Sequence, residues 1–251
     1  MSRRRSARAL PVAVALAGVL LAESAHAAAP VIFLDRCEGG CTYHPGFDDS
    51  RTNTSSIVTQ TSQLSAFQYG DPSFAAVLAC VRQTFAPFAV EVTDVDPGSA
   101  DHYEIAVAGT SQEIGGIAGN TAVAPFVCGG TSNGIAFAFA NTIGDAPDAI
   151  CWAAAQGAGF LLGLDAVYAC GDVMTFLPGC LPKSFLDADS QCGTNAPQPC
   201  LCGGTTQNSY QKLLALLPEP ERTGSAAAVL LGVALARRLR PGRCSSRRPS
   251  A

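Results

Sequence analysis

Few side chains in this chain could hold a metal or attack a carbonyl, and their spacing limits what they can do. Histidine occurs only at His26, His44 and His102, and His26 falls in a segment expected to be cleaved away. Cys37, Cys41 and His44 have metal-ligand spacing. They belong, however, to a set of ten cysteines that continues through Cys80, Cys128, Cys151, Cys170, Cys180, Cys192, Cys200 and Cys202. An even set in an exported chain points to as many as five disulfides rather than to thiolate ligands. Proximity in sequence favours Cys37–Cys41 and a second cluster among Cys180, Cys192, Cys200 and Cys202; it does not give the pairing. Cys244, the eleventh, lies near the C-terminus.

Carboxylates offer a different chemistry. Asp94, Asp96 and Asp101 are candidate calcium ligands, as are Asp48 with Asp49 and Asp187 with Asp189, because hard cations favour several carboxylate oxygens. Acidic loops that only solvate an exported surface are the commoner origin of such clusters. The chain has no G-x-S-x-G elbow and no glycine-rich phosphate loop ending in Lys-Ser/Thr. Nor does it offer a free cysteine nucleophile beside a histidine.

Both ends read as non-globular. Arg3, Arg4, Arg5 and Arg8 precede an apolar run from Leu10 to Leu21, and Ala25-His26-Ala27 follows as a small-x-small cleavage pattern. Residues 1–27 are therefore expected to be a signal peptide, with the export route open. At the other end, Ala226 to Ala236 is apolar and is followed by Arg237, Arg238, Arg240, Arg243, Arg247 and Arg248. That run falls short of the roughly 20 residues a spanning helix needs. Residues 219–251 are similar to the sorting tails of surface proteins in myxobacteria and related bacteria, which implies transient membrane association followed by removal. The alternative is a short anchoring helix with snorkelling arginines.

Between residues 28 and 222 there are six basic and 19 acidic side chains, a net of −13 that the whole-chain value of −4 conceals. A domain this acidic repels phosphate backbones, which argues against nucleic acid as a partner. Residues 28–218 suffice for one domain with a substantial core.

The elements that must position any site follow from periodicity. Phe74, Val77, Leu78, Val81 and Phe85 predict a helix from Asp71 to Pro87. Phe88 to Val95 reads as a strand. Tyr103, Ile105 and Val107 alternate against His102, Glu104 and Ala106 as a second strand, and Ile135 to Phe139 is a third. A helix is expected from Pro147 to Leu164, although Gly157 and Gly159 each cost about 1 kcal/mol relative to alanine in a helix interior. A loop rich in Cys, Gly and Pro follows, then a short helix from Asn208 to Leu217. The expected class is α+β.

One stretch carries more. Gln156-Gly157-Ala158-Gly159-Phe160-Leu161-Leu162-Gly163-Leu164-Asp165-Ala166 is followed by Gly171-Asp172-Val173-Met174-Thr175. Its order and spacing resemble the metzincin zinc peptidases, whose H-E-x-x-H-x-x-G-x-x-H motif sits on a helix and turn above a methionine-containing turn. In that alignment Gly163 keeps the bend, Asp165 keeps its place after it, and Met174 keeps the Met-turn. Gln156, Phe160 and Ala166 stand at the three histidine positions, and Gly157 stands at that of the general base. Phe85 to Thr93 and the Cys200-Leu201-Cys202-Gly203-Gly204 segment look like parts of secreted bacterial relatives, so the resemblance spans Val31 to Leu217.

The resemblance implies a metzincin-like domain: an N-terminal helix, a mixed sheet, a motif helix, a Met-turn and a C-terminal helix, stapled by disulfides. With its ligands replaced, zinc is not expected, and no residue is assigned a catalytic role; calcium remains possible. The expected function is binding of an unidentified protein or peptide, with strands at Val90–Val95 or Ile135–Phe139 lining the groove. The alternatives are a metallopeptidase with a different metal site at His44 or His102, or a structural envelope component. The expected location is the cell surface, outer envelope or extracellular space.

Overall fold

The computed structural model describes residues 29–217. The expected signal peptide and C-terminal tail lie outside the described residues, as does Cys244. The chain begins with β1 (Val31–Asp35), β2 (Cys41–Pro45), β3 (Thr54–Ser55) and β4 (Ser62–Leu64). Helix α1 (Gly70–Phe85) leads to β5 (Glu91–Thr93), β6 (Tyr103–Val107), β7 (Ala122–Val123) and β8 (Ile135–Ala138). Then come α2 (Ala140–Ile143), α3 (Pro147–Leu161), β9 (Ser190–Gln191), β10 (Thr206–Gln207) and α4 (Ser209–Leu216). The class is α+β, as expected.

The main sheet has the order β5-β1-β6-β8-β7. Strands β5, β1, β6 and β8 run parallel, and β7 closes one edge antiparallel to β8, with Ala122 opposite Ala138 and Val123 opposite Phe137. Parallel strands buried on both faces read as continuous apolar runs. Ile32, Phe33 and Leu34 of β1 and all of β8 are buried in this way. On one face the sheet carries α1 and α3, whose Val77, Val81, Ala154 and Ala158 pack on Leu34, Ile105 and Ala136. On the other, the small sheet β3-β2-β4 and its loops close a second core around Tyr43, Leu64, Phe137 and Phe139.

Five disulfides staple these layers: Cys37–Cys41, Cys80–Cys151, Cys128–Cys202, Cys170–Cys180 and Cys192–Cys200. All ten expected cysteines are used, and Cys37–Cys41 pairs as its spacing favours. The expected cluster among Cys180, Cys192, Cys200 and Cys202 is only half correct. Cys192 and Cys200 pair, but Cys180 turns back to Cys170 and Cys202 reaches Cys128, 74 residues away. Cys80–Cys151 ties α1 to α3 where the helices pack side by side. Five bridges are the signature of a chain that folds in an oxidising compartment. Among the described residues no helix is long and apolar enough to cross a membrane.

Candidate functional site

Helix α3 starts with Pro147 in its first turn, where a missing N–H costs nothing. It ends in a Schellman motif: the Gly163 N–H donates to the Phe160 carbonyl at 2.9 Å, and the Leu164 N–H to the Gly159 carbonyl at 2.9 Å. Gly163 holds φ +82°, and a Cβ there would lie 2.6 Å from the Gly130 backbone nitrogen and 3.1 Å from that of Gly129. The sharp bend after the helix therefore needs glycine for its backbone angle and for the loop pressed against it. Gly163→Ala is expected to destabilise the fold by about 2 to 3 kcal/mol, read as a lower midpoint in chemical denaturation.

The two glycines inside α3 have the same kind of reason. A Cβ on Gly157 would stand 3.0 Å from the Ala136 Cβ of β8. One on Gly159 would collide with the Met174 sulfur. Close approach to neighbours thus explains the low helix propensity. Met174 is fully buried beneath the helix, in a turn closed by the Thr175 N–H donating to the Asp172 carbonyl at 3.2 Å. Asp172 braces this turn: Oδ1 accepts from the Met174 N–H at 2.8 Å and Oδ2 from the Leu186 N–H at 3.1 Å. Burial raises the Asp172 carboxyl above its ordinary range, and burial lowers the Lys183 ammonium.

Gln156, Gly157, Phe160, Asp165 and Ala166 converge on one cavity of about 320 Å³. Strand β7, with Ala124 just beyond it, forms one wall, and Gly193, Gln198 and Leu201 of the disulfide-tied loop form the opposite one. Phe160 lies in an aromatic row between Phe126 and Phe176, each with its ring centroid 6.1 Å away. Gln156 turns its Nε2 to the Thr175 carbonyl at 3.0 Å and to the Val173 carbonyl at 3.3 Å, tying the helix to the turn below. Asp165 is buried and points away from metal chemistry: its Oδ1 accepts from the Ala166 N–H at 2.8 Å and its Oδ2 from the Leu201 N–H. Gln207 pairs with the Asp165 backbone through both ends of its amide, at 2.8 and 2.9 Å.

These residues do not fit zinc. A phenyl ring, a methyl group and an amide whose N–H groups are already engaged present no imidazole, thiolate or available carboxylate to the cavity. His44 and His102 are elsewhere: His44 Nδ1 lies 3.1 Å from Thr61 Oγ1, and His102 Nδ1 lies 2.8 Å from the Ala100 carbonyl. Among the described residues, two groups of ligand-type atoms do gather, Asp35 with Cys37 and Cys41, and Asp165 with Cys192 and Cys200. In both groups the sulfurs are locked in disulfides.

All of the candidate calcium carboxylates but Asp189 are engaged with other partners. Asp49 and Asp101 both meet Arg51, at 2.8 and 3.0 Å, and Asp94 lies 3.6 Å from Arg82. Asp96 Oδ1 accepts from the Gly98 N–H at 2.7 Å. Asp48 accepts from Ser55 and Ser56. Asp187 accepts from Asn208 and Gln211, which holds it below the usual carboxylate range.

The two strands expected to line a groove do not border this cavity. Ile135–Ala138 is an interior strand paired on both sides, and Glu91–Thr93 lies at the far edge of the sheet. The strand beside the cavity is β7, only two residues long in a run of small side chains that carries no period of its own. Exposed Phe176 and Leu201 extend an apolar rim around the mouth. Comparison with protein-family models, curated proteins and solved structures returns no match to this chain.

Proposed function

We propose that the chain is a catalytically inactive, metzincin-like binding module of the exported envelope, and that its cavity takes an apolar side chain of an extended peptide. The single observation that carries this reading is the convergence of Gln156, Gly157, Phe160, Asp165 and Ala166 on one cavity beside an edge strand. The helix, the glycine bend, the turn at Met174 and the following helix occur in the order the resemblance implies, which supports the same reading. Strand β7 pairs with β8 on one side only, so its other edge has main-chain groups to offer. A peptide laid there gains main-chain hydrogen bonds for affinity, while the pocket selects a side chain. The apolar walls favour a large aliphatic or aromatic residue, and the acidic surface disfavours acidic partners.

A random heptapeptide display library panned against the purified protein tests this. Enrichment of sequences with one fixed large apolar position is expected. Ala166→Trp, which fills the cavity, should weaken capture of the enriched peptides by at least about tenfold. Absence of enrichment, or capture that Ala166→Trp leaves intact, would refute the binding site.

A further inference from the structure

The face of the sheet remote from the cavity buries an unusual set of groups. Glu104, on the central strand β6, is 2 % exposed, and its Oε1 accepts from the Tyr43 hydroxyl at 2.7 Å. That hydroxyl is also 3.7 Å from the Cys37 sulfur. Asp35 Oδ2 is 3.0 Å from the Cys41 sulfur and 3.9 Å from that of Cys37. One disulfide therefore has a carboxyl group nearest the Cys41 sulfur and a hydroxyl backed by a second carboxyl beside that of Cys37. An apolar pair would fill the space around Tyr43 and Glu104 without the desolvation cost of a buried acid.

We propose that Cys37–Cys41 is a redox-active disulfide that exchanges with an external dithiol, with Asp35 as proton acceptor and Glu104, acting through Tyr43, as proton donor. The first thiol attacks the Cys41 sulfur, whose residue is 9 % exposed against 1 % for Cys37, and gives its proton to Asp35. As the new S–S bond forms, the Cys37–Cys41 bond breaks and its electron pair goes to Cys37. Tyr43 protonates that sulfur and is reprotonated by Glu104. The second thiol of the reductant then attacks the mixed disulfide and Cys41 leaves, taking the proton held by Asp35. The second thiol's proton restores Glu104. The dithiol is oxidised to a disulfide and the bridge is reduced to two thiols, so two electrons and two protons are transferred.

Two independent features favour this bridge over the other four. It closes the shortest loop, with a sequence separation of 4 against 8, 10, 71 and 74, and the shortest loop gains least from cross-linking. Cys37 also holds φ +52°, a left-handed backbone that a residue with a Cβ adopts at a cost. Tyr43 on β2 is hydrogen-bonded to Glu104, and the charges of Asp35 on β1 and Asp96 in the loop after β5 act with burial to favour its protonated form.

The test is graded reduction of the purified oxidised protein by dithiothreitol, with differential alkylation and mass spectrometry of each cysteine. Cys37 and Cys41 are expected to be alkylated first, while the other four bridges stay closed. Glu104→Gln and Asp35→Asn should each slow opening by at least about tenfold, and Glu104→Gln should remove the limb of the pH–rate profile near pH 8. Tyr43→Phe should match Glu104→Gln in both readouts. The proposal is overturned if another bridge opens first, or if the variants keep the wild-type rate and pH profile.

Discussion

Replacing Gln156, Phe160 and Ala166 together by histidine is expected to create a zinc site in this cavity. Residues 156 and 160 lie four apart on α3, so their side chains emerge one above the other on the same face. The Schellman bend at Gly163 then brings residue 166 back to the same cavity, which all three line. Three imidazoles converging on a water-accessible space leave a fourth position open, the arrangement of catalytic zinc. The triple variant should retain about one zinc per chain after dialysis, with an affinity at least on the order of 10³ above that of the natural protein. Elemental mass spectrometry and competition with a chromophoric chelator measure both. No gain in zinc would mean that the three positions do not converge as ligands, and the metzincin-like reading would fall. Tight zinc in the natural protein would place the ligands elsewhere, and His44→Ala and His102→Ala would then locate them.

Adding a metal to this cavity would be a smaller step than adding hydrolysis. The position aligned with the general base is Gly157, whose missing Cβ lets α3 approach Ala136 of β8. A glutamate there would place its Cβ 3.0 Å from that of Ala136, so helix or strand would have to give way by a few tenths of an ångström. A side chain at the aligned base position and the close packing of the helix therefore oppose each other.

Much of the scaffold was legible because long periodic segments announce themselves. Helices α1, α3 and α4 lie within two or three residues of their expected limits, with Phe74, Val77, Leu78, Val81 and Phe85 buried as their spacing requires. Strand β1 has no such signature. Val-Ile-Phe-Leu-Asp is buried on both faces and so lacks alternation, and an apolar run of that length fits a helix as readily as a strand. Strand β7 is recognisable only from its partner β8. The disulfides defeat proximity for a related reason: Cys80 and Cys151 meet because two helices pack, and Cys128 and Cys202 because two loops flank the same cavity. At the motif, the sequence carried the positions but not the neighbours. That Gly159 makes room for Met174, and that Gln156 fastens the helix to its turn, are facts of packing. Strand β6 forms where its alternation predicts, but alternation alone does not show that both of its faces are covered: His102, Glu104 and Ala106 are buried, on the side closed by β2 and its neighbours.

The Glu104 carboxyl, trapped there, should make stability fall steeply with rising pH. Burial is the largest influence on it and lifts its pKa from 4.5 to about 8; the hydrogen bond from Tyr43 works in the opposite direction, while Asp35 and Asp96 add to the rise. In the unfolded chain the same carboxyl titrates in its ordinary range. Between about pH 4.5 and pH 8 the folded state therefore holds a proton that the unfolded state has released. The resulting stabilisation is complete below the unfolded value and is lost as pH rises through the folded one. A difference of this size corresponds to as much as about 5 kcal/mol over that window. Glu104→Gln keeps an acceptor for Tyr43 and removes the titration, so denaturation midpoints of wild type and variant should diverge progressively, with the variant the more stable at pH 8. Asp35 and Asp172, also raised by burial, leave a residual slope in the variant. Parallel midpoint-against-pH curves would show instead that water reaches Glu104 and screens it. The sheet would then have no buried proton store to deliver to Cys37, whereas divergence would establish the acid on which the redox chemistry of that bridge depends.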